Sequence, residues 1–269
     1  MSLHFFITAL LLTTNVQAQA AELIIKRKSI AGRTIETTTL MGPIIAGDTR
    51  RLADFWIRNP NTTNPTLFIS SNGGDLQEAM ALGELVSELR LSTQVESEGG
   101  CYSACFFVWL NGTNRFAAPM ERTIRNLGKV GLHRPYLVRP TNDNASLLKQ
   151  SKVMNTVSTY LRARNVPSRL AEIMMSRSSQ DIYLLREEDL TELGVVSPPL
   201  EELQLAQCGV NLNRLGQAMD RYASQSAYED AKAAYISAID CTILLDSTAR
   251  TATLAKIKAG WLPRRPELN

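Results

Sequence analysis

Between Thr66 and Leu110 the chain passes twice through the same order of features: a short apolar strand, a glycine pair, then an apolar helix. Thr66-Leu67-Phe68-Ile69-Ser70 leads into Ser71-Asn72-Gly73-Gly74-Asp75. There Asp75 and Glu78 form a capping-box-like start for a helix with Leu76, Ala79, Met80, Val86 and Leu89 on one side. Leu91 to Glu96 reads as the next strand. It runs into Glu98-Gly99-Gly100-Cys101-Tyr102-Ser103-Ala104-Cys105 and at once into Phe106-Phe107-Val108-Trp109-Leu110. Two such units in close succession predict parallel strands joined by right-handed crossovers, and so an α/β fold.

Each glycine pair admits two readings. A serine that leaves a glycine pair and enters an apolar helix sits at the helix's first turn, where unpaired backbone N–H groups face anything bound beside it. Ser103 is therefore placed either as a nucleophile or as a plain cap of a closely packed helix. Gly73-Gly74 is likewise either a tight turn or a place where backbone N–H groups approach a ligand atom. The dinucleotide fingerprint is excluded, because no third glycine follows at its spacing.

Upstream, residues 22 to 27 and 33 to 41 read as strands, and Leu52, Phe55 and Trp56 fall at helical spacing from Asp48 onward, with Pro60 closing the segment. Downstream come a short strand from Arg115 to Ala118 and a strand end, Val130 to Pro135, that carries His133. A long helix from Ala145 to Arg164 follows, then a shorter one opened by Val166-Pro167-Ser168. Asp181-Ile182-Tyr183-Leu184-Leu185 reads as a strand and Arg186 to Leu193 as a helix with Gly194 as its C-cap. Ser197-Pro198-Pro199 marks a domain boundary.

Beyond that boundary the chain reads as helical. Cys208, Leu212, Leu215, Met219 and Tyr222 keep a three-four spacing, as do Ala231, Ala234, Ala238, Cys241 and Leu245. A turn at Ser224-Gln225-Ser226 makes an antiparallel helical hairpin that brings the two cysteines side by side. A Cys208–Cys241 disulfide is expected, worth roughly 2 to 4 kcal/mol to a small appendage; two buried free thiols are the alternative.

The first twenty residues contain no Lys, Arg, Asp or Glu; Phe5 to Leu12 is a short apolar run, and Ala18-Gln19-Ala20 is a small-x-small end. That run is too short to span a bilayer and fits a cleaved secretory signal, with cleavage after Ala20. The expected organisation is a signal at 1–20, a catalytic domain at 21–197 and a helical appendage at 198–269. Export to the periplasm or medium makes disulfides available to the four cysteines. The net charge of +3, with Lys and Arg scattered, gives no case for nucleic acid. One histidine beyond the signal, and cysteines in no zinc spacing, give none for a metal.

A nucleophile at a helix start, one histidine at a strand end and an aspartate after a further long helix are the three parts of a serine hydrolase triad. Ser103 would attack a carbonyl and His133 would take its proton. Asp181 would hold the imidazole, and the N–H groups of Gly74 and Ala104 would hold the oxyanion. Here the chain resembles the Clp protease proteolytic subunits and their relatives in the ClpP/crotonase superfamily, from about Ile35 to Val196. The resemblance rests on Ser71-Asn72-Gly73-Gly74, the small residues around Ser103, His133-Arg134-Pro135, and Asp181-Ile182-Tyr183-Leu184 with the helix to Glu192-Leu193-Gly194-Val195-Val196. Gly74 lies 29 residues before Ser103 and Asp181 48 after His133, both close to the family's separations.

The sequence departs from the family at Asn72, where proline is usual, in extra residues between Ala118 and Lys129, and in the cysteines around the serine. A Cys101–Cys105 bridge would brace the nucleophile turn, although four residues within a regular helix would strain it. The resemblance implies a β-sheet spiral with surrounding helices, and oligomeric rings in which the helix from Ala145 to Arg164 makes contacts. It implies a serine endopeptidase acting on peptides or unfolded chains. With no Walker motif and no ATP outside the cell, an ATP-independent enzyme without a cofactor is expected. Two competing readings are a catalytically silent scaffold whose C-terminal helices bind a protein partner, and a crotonase-type acyl-CoA enzyme, against which the export signal and triad both argue.

Overall fold

The computed structural model describes residues 21–30, 33–60, 65–136, 143–178, 180–196, 198–209 and 225–267. The expected signal and the hairpin arm that carries Leu212, Leu215, Met219 and Tyr222 lie outside the described residues. The chain enters as β1 (Glu22–Ile30) and β2 (Arg33–Met41), paired antiparallel with Glu22 opposite Met41 and Ile30 opposite Arg33. After α1 (Asp48–Arg58) come β3 (Thr66–Ser70), α2 (Leu76–Glu88) and β4 (Ser92–Val95). They are followed by β5 (Gly100–Tyr102), α3 (Cys105–Leu110), β6 (Arg115–Phe116) and β7 (Lys129–Leu132). The chain continues through α4 (Asn144–Ala163), α5 (Ser168–Ser176), β8 (Tyr183–Leu184), α6 (Glu187–Leu193), α7 (Pro198–Cys208) and α8 (Gln225–Lys258).

The fold is α/β, as the two strand–glycine–helix units required. One sheet has the order β1-β2-β3-β4-β6, parallel from β2 to β6, and a second has the order β5-β7-β8. An isolated bridge between Ser71 and Cys101 ties the end of β3 to β5, so the two glycine turns leave the sheets side by side. Alternation on β3 buries Leu67 and Ile69 in the same core as Met80, Leu82, Leu85 and Val86 of α2. Every residue of α3 is buried, including Phe106 and Trp109. A helix apolar all round belongs inside the core, and α3 therefore anchors the serine turn against the centre of the molecule.

Both cysteine pairs are disulfides, with Cα–Cα distances of 5.2 Å for Cys101–Cys105 and 5.9 Å for Cys208–Cys241. Cys101 lies in β5 and only Cys105 is helical, so the strain expected of a bridge inside a helix does not arise. The C-terminal helix is joined to the rest of the protein by packing as well. Leu254 and Ile257 belong to the main core, Thr253 donates to the Glu88 carbonyl at 2.9 Å, and Arg250 Nε donates to that of Leu89 at 2.9 Å. Among the described residues no helix is long and apolar enough to cross a membrane.

Candidate active site

Ser103 occupies the two-residue turn between β5 and α3. It lies ahead of the helix rather than in its first turn, and its backbone is left-handed at φ +57°. A β-substituted residue held there is strained, and such strain persists only where its surroundings enforce it. Three constraints do so: the serine N–H donates to the Gly131 carbonyl at 3.0 Å, Phe106 N–H donates back to the serine carbonyl at 3.0 Å, and the Cys101–Cys105 bridge spans the turn. Gly73 is pressed against it from the other side. A Cβ at Gly73 would lie 2.7 Å from the Ser103 Cβ, 2.8 Å from the Tyr102 carbonyl oxygen and 2.9 Å from the Ala104 nitrogen. The serine turn thus leaves no room for a side chain at Gly73, and the Ile44 backbone, whose carbonyl oxygen would lie 2.1 Å from an added Cβ, leaves none at Gly74.

A cavity of about 490 Å³ opens over this contact, with Gly73, Gly74, Ser103, Ala104 and His133 among its lining. Leu76, Phe107 and Ile182 supply apolar walls. A second cavity of about 650 Å³, lined by Ser70, Glu98 and Tyr102, shares Pro43 and Asn72 with the first. Gly74 is fixed by an isolated parallel bridge to Ile44: Ile44 N–H donates to the Gly73 carbonyl and Asp75 N–H to that of Ile44, both at 2.8 Å. Among the described residues the N–H groups of Gly74 and Ala104 have no acceptor. Asp48 supports the segment carrying Ile44 by accepting Ile45 N–H at 2.7 Å, and burial lifts its carboxyl above the ordinary value.

His133 follows the last residue of β7 and is 8% exposed. Its Nδ1 lies 2.9 Å from the Arg134 carbonyl oxygen, which can only accept, so Nδ1 carries the proton and Nε2 keeps a lone pair. The Tyr136 ring lies 5.7 Å from the imidazole, between centroids. Asp181 precedes β8 and does not line the cavity: its carboxylate receives Arg177 Nη1 at 2.8 Å and its side chain is 54% exposed. The structure therefore gathers Ser103, His133, Gly74 and Ala104 at one opening, and does not bring Asp181 to it: the aspartate is paired with Arg177 outside the lining. Sequence reasoning missed Gly73 as the contact on the serine, Ile44 as the clamp and Arg134 as the Nδ1 acceptor. Only the first left a signal, the doubled glycine; the other two act through backbone atoms that residue identity does not encode.

No family model matches the chain, and no curated protein matches it. Solved structures do. The chain is similar to a mutant of the 1510-N membrane-bound stomatin-specific protease, at 15% identity over 64% of this chain and 83% of that one, with a TM-score of 0.41. It is also similar to ClpP1 from Listeria monocytogenes, at 13% identity over 59% and 86% with a TM-score of 0.42, and to a mutant of that protein at 14% identity. The chemistry of this chain is read from its own residues.

Proposed function

We propose that the chain is a serine peptidase that hydrolyses peptide bonds outside the cytoplasm without ATP. The observation that carries the reading is the shared cavity: a strained serine, an imidazole with a free Nε2 lone pair, and two backbone N–H groups without acceptors among the described residues. Ser103 Oγ attacks the scissile carbonyl while His133 Nε2 takes its proton, and the Gly74 and Ala104 N–H groups receive the developing oxyanion. The imidazolium then protonates the leaving amine, and water repeats the sequence on the acyl-enzyme.

The imidazolium needs a negative partner, and Asp181 is proposed for that role. Its pair with Arg177 is exposed, so opening it costs only about 0.2 to 1 kcal/mol. The Arg134 carbonyl holds the same tautomer in the meantime. The apolar walls suit peptides or unfolded chains, and the two disulfides suit an oxidising compartment. A homo-oligomer is proposed on Leu147 and Leu148, 64% and 65% exposed on α4, the helix to which the resemblance gives ring contacts. A fluorophosphonate probe should label the mature protein at Ser103, and Ser103→Ala should abolish labelling. A wild-type protein that stays unlabelled across roughly pH 6 to 9, the range in which a general base of this kind operates, would leave the silent scaffold as the better description.

A further inference from the structure

The last residues of the chain return to the site. After α8 the backbone turns at Gly260 and runs along α2 from its end, where Lys256 faces Glu88 at 3.9 Å, to its start. There Gln77 Nε2 donates to the Pro266 carbonyl at 2.6 Å, and Arg265 meets two carboxylates: Nη2 lies 2.5 Å from Asp75 Oδ2 and Nε 3.4 Å from Glu78 Oε2. A 13-residue helix is about 20 Å long. The seven residues that follow Lys258, ending at Arg265, reach about 23 Å when extended, so the strap has little slack.

We infer that Arg265, delivered by this strap, is a positioning residue that holds Gly74 in place as an oxyanion donor; the inference rests on the peptidase reading above. Asp75 is the residue after Gly74 and the N-cap of α2, its Oδ1 accepting Glu78 N–H at 3.0 Å and its own N–H bonded to Ile44. Glu78 is 2% exposed and accepts Thr49 N–H from α1 at 2.7 Å. Asp48, also buried, has its own cation in Arg51, whereas among the described residues Arg265 is the cation on Glu78. Removing Arg265 leaves a buried carboxylate without a counter-charge, which a protein relieves by moving the carboxylate toward water. Glu78 and Asp75 share one helix start with Gly74, so that movement displaces the donor.

The test compares Arg265→Ala with Arg264→Ala, which removes the same charge from the neighbouring exposed residue that carries no ion pair among the described residues. Arg265→Lys serves as the conservative variant. In Arg265→Ala, amide hydrogen exchange in a peptide spanning Gly74 to Glu78 should quicken at least about fivefold, while β3 exchanges as before. Fluorophosphonate labelling of Ser103 and kcat on a peptide substrate should fall about tenfold with KM unchanged, less than the hundredfold or more that loss of a hole donor costs. Arg265→Lys should recover part of this and Arg264→Ala should match wild type. Unchanged exchange overturns the inference, as does faster exchange with unchanged labelling, or an equal effect in Arg264→Ala. A wild-type protein that does not label overturns the peptidase reading instead, and the exchange arm still decides whether Arg265 holds the turn.

Discussion

Gly73→Ala isolates the contact on which the serine turn depends. Gly73 has φ +96°, and an added Cβ meets the Ser103 Cβ at 2.7 Å and two backbone atoms within 2.9 Å. Gly260 has nearly the same backbone, φ +95°, with nothing within 4 Å of its Cβ position. Both alanines carry the conformational cost of a left-handed residue, about 1 to 2 kcal/mol. Gly73→Ala adds overpacking, about 1 to 3 kcal/mol, because the neighbours are backbone and a disulfide-braced turn that cannot swing aside. Restoring an ordinary contact requires Ser103 to retreat by roughly 0.7 Å, and a displacement near 1 Å costs about a hundredfold in rate. Urea denaturation should therefore place Gly73→Ala about 2 to 5 kcal/mol below wild type and Gly260→Ala about 1 to 2 below. Ser103 labelling should fall about a hundredfold in the first and stay within about twofold in the second. Equal stability losses in the two variants, or undiminished labelling in Gly73→Ala, would refute the close-approach argument.

Asp181→Asn should lower kcat by about 10³- to 10⁴-fold if the aspartate balances the imidazolium, while Arg177→Gln, which releases Asp181, should leave kcat unchanged or raise it; a loss below tenfold in Asp181→Asn would show that the Arg134 carbonyl suffices. Replacing Cys208 and Cys241 by serine should lower stability by roughly 3 to 4 kcal/mol, the entropy of a loop of this length, as read by urea unfolding. A loss under about 1 kcal/mol would mean that packing alone holds α7 to α8. Asp246 has a buried Oδ1 with no hydrogen-bond partner among the described residues, and burial raises its pKa above the ordinary carboxylate value, opposed by Arg90 and Arg250. Its charged form is thus disfavoured in the folded state at neutral pH, and that penalty is lost as pH falls through the raised pKa. Asp246→Asn should melt higher than wild type at neutral pH, with the advantage shrinking on acidification; an advantage that grows as pH falls would contradict the sign.

The α/β class was legible in two strand–glycine–helix units because glycine pairs and apolar periodicity are local signals. The same holds for α4, expected from Ala145 to Arg164 and found at Asn144–Ala163, and for α6, where the expected helix and its Gly194 cap both appear. Less legible were elements whose ends are set by tertiary pairing. The strand expected over Asp181 to Leu185 is confined to Tyr183–Leu184, the residues that pair in register with β7, although Leu185 N–H still donates to the Val130 carbonyl; Asp181 falls ahead of the strand and pairs with an arginine four residues back. Ser103, Gly74, Ala104 and His133 could be chosen from residue type and order. Their support could not, since the Gly131, Ile44 and Arg134 carbonyls act through backbone positions. Arg265 was invisible for a further reason: 190 residues separate it from Asp75, and an isolated basic pair near a chain end carries no pattern.

The bridge around Ser103 has both of its cysteines at 0% exposure. Thiol exchange needs a thiolate to reach a sulfur in line, which the finished fold prevents from either direction. Oxidation must therefore happen while the polypeptide is still opening and closing around α3, and a reductant added afterwards meets a sealed bond. Molecules that fold in a reducing cytosol would trap two thiols beside the serine, and transfer to an oxidising buffer would not mend them. Preparations from the two routes would share a mass within two hydrogens per bridge and differ in the turn that matters.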